Sequence, residues 1–191
     1  FFPSAVSKEV KTQPSSKKLT KQWIEFSKEK EYFELSDWTD YIGAGEKLSI
    51  INKLDSQDII KSLILKNYEA KFKVVIIWWP EKMNTDCSNK ILKVLEEPNP
   101  NSLFLLVGHN SDELLATIIS RVQIIKLSNL TDKEIISGLI EKEGVPDNLA
   151  ESIALMADGN FNKALQLVNN PDGDEKFIEL FQTWMRLCYV V

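Results

Sequence analysis

Apolar residues in the middle of the chain switch between two spacings, and the switches predict its elements. Val74 to Ile77 is a continuous β-branched run, the pattern of a strand buried on both faces, and Pro80 ends it. From Met83 the period becomes four: Cys87, Ile91 and Leu95, with Leu92 and Val94 alongside, predict an amphipathic helix that Asn84 or Thr85 can cap and Pro98 closes. Asn99-Pro100-Asn101 reads as a turn, and Leu103 to Val107 as a second buried strand. Ser111 is expected to open a short helix that ends at Ser120-Arg121. Asp112 and Glu113 fall in its first turn, where carboxylates suit the helix dipole. Gln123 to Leu127 reads as a third strand. Strand, helix, strand, helix, strand implies an α/β protein with a parallel sheet and right-handed crossovers.

The flanks are less regular. Residues 1–18 contain Pro3, Pro14, several serines and four lysines through Lys18 without a sustained period, and are expected to be a solvated, partly ordered loop or tail. Trp23, Ile24 and Phe26, then Phe33, Leu35, Trp38, Tyr41 and Ile42, predict one helix and a shorter second one ending near Gly43 to Gly45, their aromatics serving as core. Asp55-Ser56-Gln57-Asp58 looks like a helix start before Ile59, Ile60, Leu63 and Ile64. Beyond Leu127 the pattern is helical. Thr131 or Asp132 opens a helix closed by Gly144, Pro146-Asp147 a second closed by Gly159, and Asn160 or Asn162 a third carrying Ala164, Leu165 and Val168. The expected organisation is an α/β core over 1–127, a three-helix domain over 128–171, and over 172–191 a linker and a further amphipathic helix.

Composition narrows the class. At 191 residues and 43% hydrophobic content the chain can bury a real core. No apolar run approaches the roughly 18 residues of a membrane span and the first residues do not form a signal peptide, so the expected location is the cytoplasm. Cys87 and Cys188 lack the clustering of a disulfide framework or a zinc site and read as buried thiols; no metal site is expected. The start at Phe1-Phe2-Pro3 and the apolar end at Val190-Val191 suggest a fragment of a longer protein. The net charge of −5 is uneven, because residues 1–30 hold seven Lys against three Glu and leave −9 for the remainder. An acidic body argues against a broad phosphate-binding face.

Four stretches share the wording of one family: Val74 to Trp79, Ile91-Leu92-Lys93-Val94-Leu95-Glu96-Glu97-Pro98, Leu103 to Val107, and Thr117-Ile118-Ile119-Ser120-Arg121-Val122. Over about residues 56–168 the chain resembles the bacterial DNA polymerase III clamp-loader subunits, ATPase-like proteins of the AAA+ class, and among them the delta-prime type. The resemblance implies a P-loop NTPase-like parallel sheet core, incomplete at its N-terminus. A small helical lid and the start of a helical collar would follow. It also implies partners: gamma or tau ATPase subunits, the delta subunit, the sliding clamp, and primer-template DNA through the complex, at the bacterial nucleoid and not at a membrane.

Set against that family, the residues point to a subunit that does not hydrolyse ATP. A nucleotide hydrolase of this class needs GxxxxGK[ST] to cradle phosphates and acidic residues at the end of the central strand to hold magnesium. None of the seven glycines forms that loop, which upstream sequence could still supply. At the strand end, Trp78-Trp79 stands where active relatives have Asp-Glu, and an indole offers one N–H donor and no acceptor. Asn162 aligns with the lid arginine that senses nucleotide, and Gly108-His109 replaces a usual hydroxyl residue; with no acid or nucleophile beside it, His109 reads as a loop residue. Trp78, Trp79, Gly108, His109 and Asn162 together make a degenerate nucleotide site. ATP and magnesium are expected on neighbouring subunits and no cofactor on this chain, with room for a zinc module upstream.

Arg121 contrasts with these losses. The chain has 21 Lys and two Arg, and a guanidinium offers phosphate a planar fork of donors that an ammonium lacks. In the family the Ser-Arg pair, here Ser120-Arg121, supplies an arginine finger in trans to the neighbour's ATP. Without the family, Arg121 is a basic residue at a helix C-terminus. Glu96-Glu97-Pro98 places carboxylates where they oppose the helix dipole, and is assigned to structure or subunit contact. Two other readings stand beside this one: an ATP-hydrolysing gamma- or tau-type subunit with its phosphate loop upstream, and an interaction module unconnected with nucleotide.

Overall fold

Two parallel strands joined through a helix form the centre of the molecule. In the computed structural model, which describes residues 1–7, 10–45, 47–64, 71–169 and Trp184, β1 runs over Lys73–Trp78 and β2 over Ser102–Val107. They pair in parallel from Lys73 opposite Ser102 to Trp78 opposite Val107. Between them lies α4, Thr85–Glu96, since parallel neighbours need a crossover and cannot be joined by a tight turn. Asn84 caps it, its side chain accepting from the Cys87 N–H at 2.9 Å. Preceding the strands are α1 (Thr20–Glu29), α2 (Leu35–Tyr41) and α3 (Lys53–Ile64); α5 (Ala116–Ile119) follows them. The chain divides into two units, Phe1–Ile125 and Lys126–Val191. The linker and helix expected over 172–191 lie, Trp184 aside, outside the described residues.

The first unit has two adjoining cores. Val75 and Ile77 of β1 pack with Ile59 and Leu63 of α3, Cys87 and Ile91 of α4, and Ile118 of α5. The reverse side of the strands is open: Val74 and Ile76 are 52% and 51% exposed, and Leu103, Leu105 and Val107 are similarly bare. Burial on both faces, expected from the unbroken apolar runs, is therefore corrected to burial on one. Helices α3 and α4 both lie on the side of Val75 and Ile77, so the period of two inherent to any strand reappears as alternating burial.

The second core is aromatic. Phe2, Leu19, Phe26, Trp38 and Ile42 are buried together with Trp23, Phe33 and Trp78 against them. Trp38 is fully buried and satisfies its indole N–H by donating to the Pro3 carbonyl at 2.8 Å. The expectation that residues 1–18 form a solvated tail is overturned here. Phe2, Pro3, Ala5 and Val10 are buried, Ser4 exchanges backbone hydrogen bonds with Ile50, and the Phe1 carbonyl accepts from the Trp78 N–H at 2.8 Å. The serines that looked like loop composition are structural. Ser16 Oγ bonds both backbone groups of Phe2, and its N–H donates to the buried carboxylate of Asp55 at 2.8 Å. Asp55 also accepts from the Asn52 N–H at 2.9 Å, so the third helix starts slightly earlier than its acidic residues suggested, at Lys53.

Two further expectations are revised. The helix from Ser111 to Ser120 is two pieces, a 3₁₀ turn over Ser111–Glu113 and the short α5, separated by extended backbone at Leu114 and Leu115. Asn110 caps the first piece by accepting from the Asp112 N–H at 3.0 Å, an Asx turn that competes with a continuous helix. Gln123 to Leu127 is not a strand: Ile124, Ile125 and Leu127 are exposed, and among the described residues no strand runs beside them to complete a ladder.

The second unit contains α6 (Asp132–Glu143), α7 (Asp147–Ala157) and α8 (Phe161–Asn169). Thr131 and Glu134 form a reciprocal capping box, and those hydrogen bonds hold the Glu134 carboxyl below its ordinary range. Gly144, at φ +66°, closes α6 in the left-handed conformation that glycine adopts without a Cβ penalty. Ile135, Leu139, Ile153, Ala154, Phe161 and Ala164 are among its buried side chains.

Candidate functional site

The C-terminal end of a parallel sheet is where α/β proteins place ligands. In this chain that end is filled by the protein's own groups. The Trp79 N–H makes the last ladder bond, to the Val107 carbonyl at 2.8 Å, and its backbone then turns left-handed at φ +55° into buried Pro80. Such a conformation is costly for a bulky side chain and is held here by packing. Trp78 packs on Trp23 and Phe33 at centroid distances of 5.0 and 5.5 Å; Trp79 stacks on His109 at 5.7 Å with the rings 13° apart, and Lys82 Nζ lies 5.8 Å over the Trp79 ring.

Glu81 closes the arrangement. Its Oε1 accepts from the backbone N–H groups of His109 at 2.7 Å and Asn110 at 3.3 Å, tying the β1 end to the loop after β2. A Cβ on Gly108 would stand 2.7 Å from Glu81 Oε2 and 3.2 Å from the Pro80 ring, so a larger residue here would displace the Glu81 carboxylate from its present position. Trp78, Trp79, Gly108 and His109 thus come together, with a carboxylate that sequence reasoning missed. Asn162 is half-buried on α8, in the other unit. Among the described residues no group of three His, Cys, Asp or Glu could hold a metal ion, and no helix is long and apolar enough to cross a membrane.

Arg121 sits just past α5. Its Nε donates to Glu96 Oε1 at 2.8 Å and one terminal nitrogen pairs with the same oxygen; the other donates to the Thr117 carbonyl at 2.7 Å and to Ser120 Oγ at 3.1 Å. The Arg121 side chain remains 29% exposed and that of Glu96 48%. Glu97 and Pro98 are exposed beside them. Glu96 is the last residue of α4, and its partner accounts for a carboxylate at a helix end that disfavours one. That mismatch was the available sign of the pairing. Inside the same helix Cys87 is fully buried, and desolvation pushes its thiol up to about 12, which leaves it inert as a nucleophile.

The sequence profile of the family described as "DNA polymerase III, delta subunit" matches residues 9–131. The chain belongs to this family. Among its curated relatives, DNA polymerase III subunit delta' of Bacillus subtilis (strain 168) is 32% identical over 135 residues, which are 69% of this chain and 40% of the relative. The delta' subunit of Haemophilus influenzae is 34% identical over 118 residues, 62% of this chain and 35% of the relative. The expected family resemblance is therefore established as membership, on the delta-prime side, with the match over residues 9–131 reaching further toward the N-terminus than the expected 56–168 and stopping short of its end. The chain spans well under half the length of these relatives. A solved DNA polymerase III gamma subunit-related protein from Thermotoga maritima is similar at 28% identity and a TM-score of 0.47, over 63% of this chain and 39% of that one.

Proposed function

We propose that this chain is part of a clamp-loader subunit that does not hydrolyse ATP and that lends Arg121 to the nucleotide of a neighbouring ATPase subunit. The carrying observation is the end of β1. Where a hydrolase would hold magnesium with carboxylates, two indoles pack into an aromatic cluster, and the adjacent Glu81 accepts from the backbone of His109 and Asn110 through Oε1, its Oε2 being buried without a hydrogen-bond partner among the described residues. Neither indole can supply a ligand to a hard cation. Asn162 carries no charge to place on a phosphate. Arg121, in contrast, retains the permanent charge and planar donor fork suited to the transferring phosphoryl group of a neighbour, alongside Ser120.

The partners under this reading are gamma or tau ATPase subunits, the delta subunit, the sliding clamp and primer-template DNA, with the work done in the cytoplasmic replisome. ATP and magnesium belong to the neighbours. Relatives of the gamma and tau type are 28% and 31% identical to this chain, so catalysis is the property to measure. The isolated full-length subunit is expected to show no ATP turnover. In a reconstituted loader, Arg121→Ala should lower clamp- and DNA-stimulated hydrolysis at the site it serves by about 10³-fold or more. Turnover by the isolated subunit, or full activity of the Arg121→Ala loader, contradicts the proposal.

A further inference from the structure

We propose that Glu96 is a latch that parks Arg121 inside its own subunit until a neighbour's phosphate takes the guanidinium over. The inference rests on the reading of Arg121 as a trans finger and deepens it by naming what regulates that finger.

The geometry is that of a side chain folded back. A guanidinium has five N–H donors. Two point at Glu96 Oε1 from the Nε edge, and two more at the Thr117 carbonyl, four residues back in α5, and the Oγ of the preceding Ser120. A fork occupied on both edges cannot grip phosphate oxygens in a bidentate manner without releasing one of them. The Glu96 edge is the one that a phosphate replaces directly, because both are anionic oxygen acceptors and the Glu96 side chain is 48% exposed. Electrostatics adds a second reason. Glu96 ends α4 with exposed Glu97 behind it, so its carboxylate stands against the negative end of the helix dipole with a like charge for company. No structural benefit to the helix explains its position; the arginine does.

The hold is shallow by design of its surroundings. Exposed ion pairs retain their partners by a factor of about one and a half to five, enough to keep Arg121 parked much of the time in an unassembled subunit and little enough for a phosphate to win. Removing Glu96 should therefore make the finger more available, not less. It should leave the fold intact, since the residue is exposed and its loss relieves the helix end.

The test is ATP turnover, stimulated by clamp and primed DNA, of a loader reconstituted with the full-length subunit as wild type, Glu96→Gln, Glu96→Ala, Arg121→Ala and the Glu96→Gln/Arg121→Ala pair. Both Glu96 variants are expected to raise turnover about two- to fivefold at subsaturating ATP, with the double variant falling to the Arg121→Ala level because the gain runs through the guanidinium. If Glu96 variants fall toward Arg121→Ala, Glu96 aims the finger and the latch is overturned. If they match wild type while Arg121→Ala is impaired, the latch is overturned and the finger stands. An Arg121→Ala loader as active as wild type removes the finger and the latch with it.

Discussion

Asp55 is the residue on which the first unit's N-terminal segment is tied down. Its carboxylate is fully buried and accepts N–H groups from Ser16 and Asn52, yet burial outweighs those bonds and raises its pKa above the ordinary 3.8. A carboxyl whose folded pKa is raised favours the folded state below its unfolded pKa, and that contribution is lost as pH rises through the folded value. Urea unfolding should accordingly find the stability difference between wild type and Asp55→Asn shrinking as pH rises above about 4. An amide has one acceptor oxygen for two N–H donors, so the variant should also be weaker by roughly 1–3 kcal/mol at low pH. A difference that grows with pH would mean that the hydrogen bonds, not burial, dominate. This anchor was not legible in the sequence. Asp55 was read as a helix-start residue, which it is, but its second partner, Ser16, lies 39 residues away and no local pattern reports it.

At the scale of elements, what periodicity and capping chemistry dictate came through, and what depends on neighbours did not. The four-residue spacing of Cys87 and Ile91 and the Asn84 cap placed α4 within a residue of its observed start, because both signals are local. Asn84→Ala should cost about 0.5–2 kcal/mol in chemical denaturation, through the orphaned Cys87 N–H, and Asn84→Ser should restore most of it. A cost below a few tenths would show that packing alone holds the helix. The apolar run at Val74 to Ile77 announced a strand, but one-sided burial depends on which side α3 and α4 occupy. Gln123 to Leu127 has the residues of a strand and lacks a ladder partner. Residues 1–18 misled through composition: Ser16 bonds the backbone of Phe2, the Pro3 carbonyl accepts from Trp38, and Phe2, Ala5 and Val10 enter the buried aromatic core.

At the scale of the whole molecule the two sites separate losses from what was kept. Trp78-Trp79 at the strand end was visible at the sequence level, and the structure adds their surroundings: Glu81 accepts from the His109 N–H, and the His109 ring stacks on Trp79. Arg121 was visible through the scarcity of arginine and the Ser-Arg wording; Glu96, its partner 25 positions away, was seen only as an oddity at a helix end. Under the proposed function, the subunit's part in an assembly comes down to whether one guanidinium reaches a neighbour's nucleotide. The most direct measurement is stimulated ATP turnover by a reconstituted loader carrying Arg121→Lys. This change keeps the charge and removes the planar fork. The account predicts a loss approaching that of Arg121→Ala, whereas wild-type turnover would contradict it.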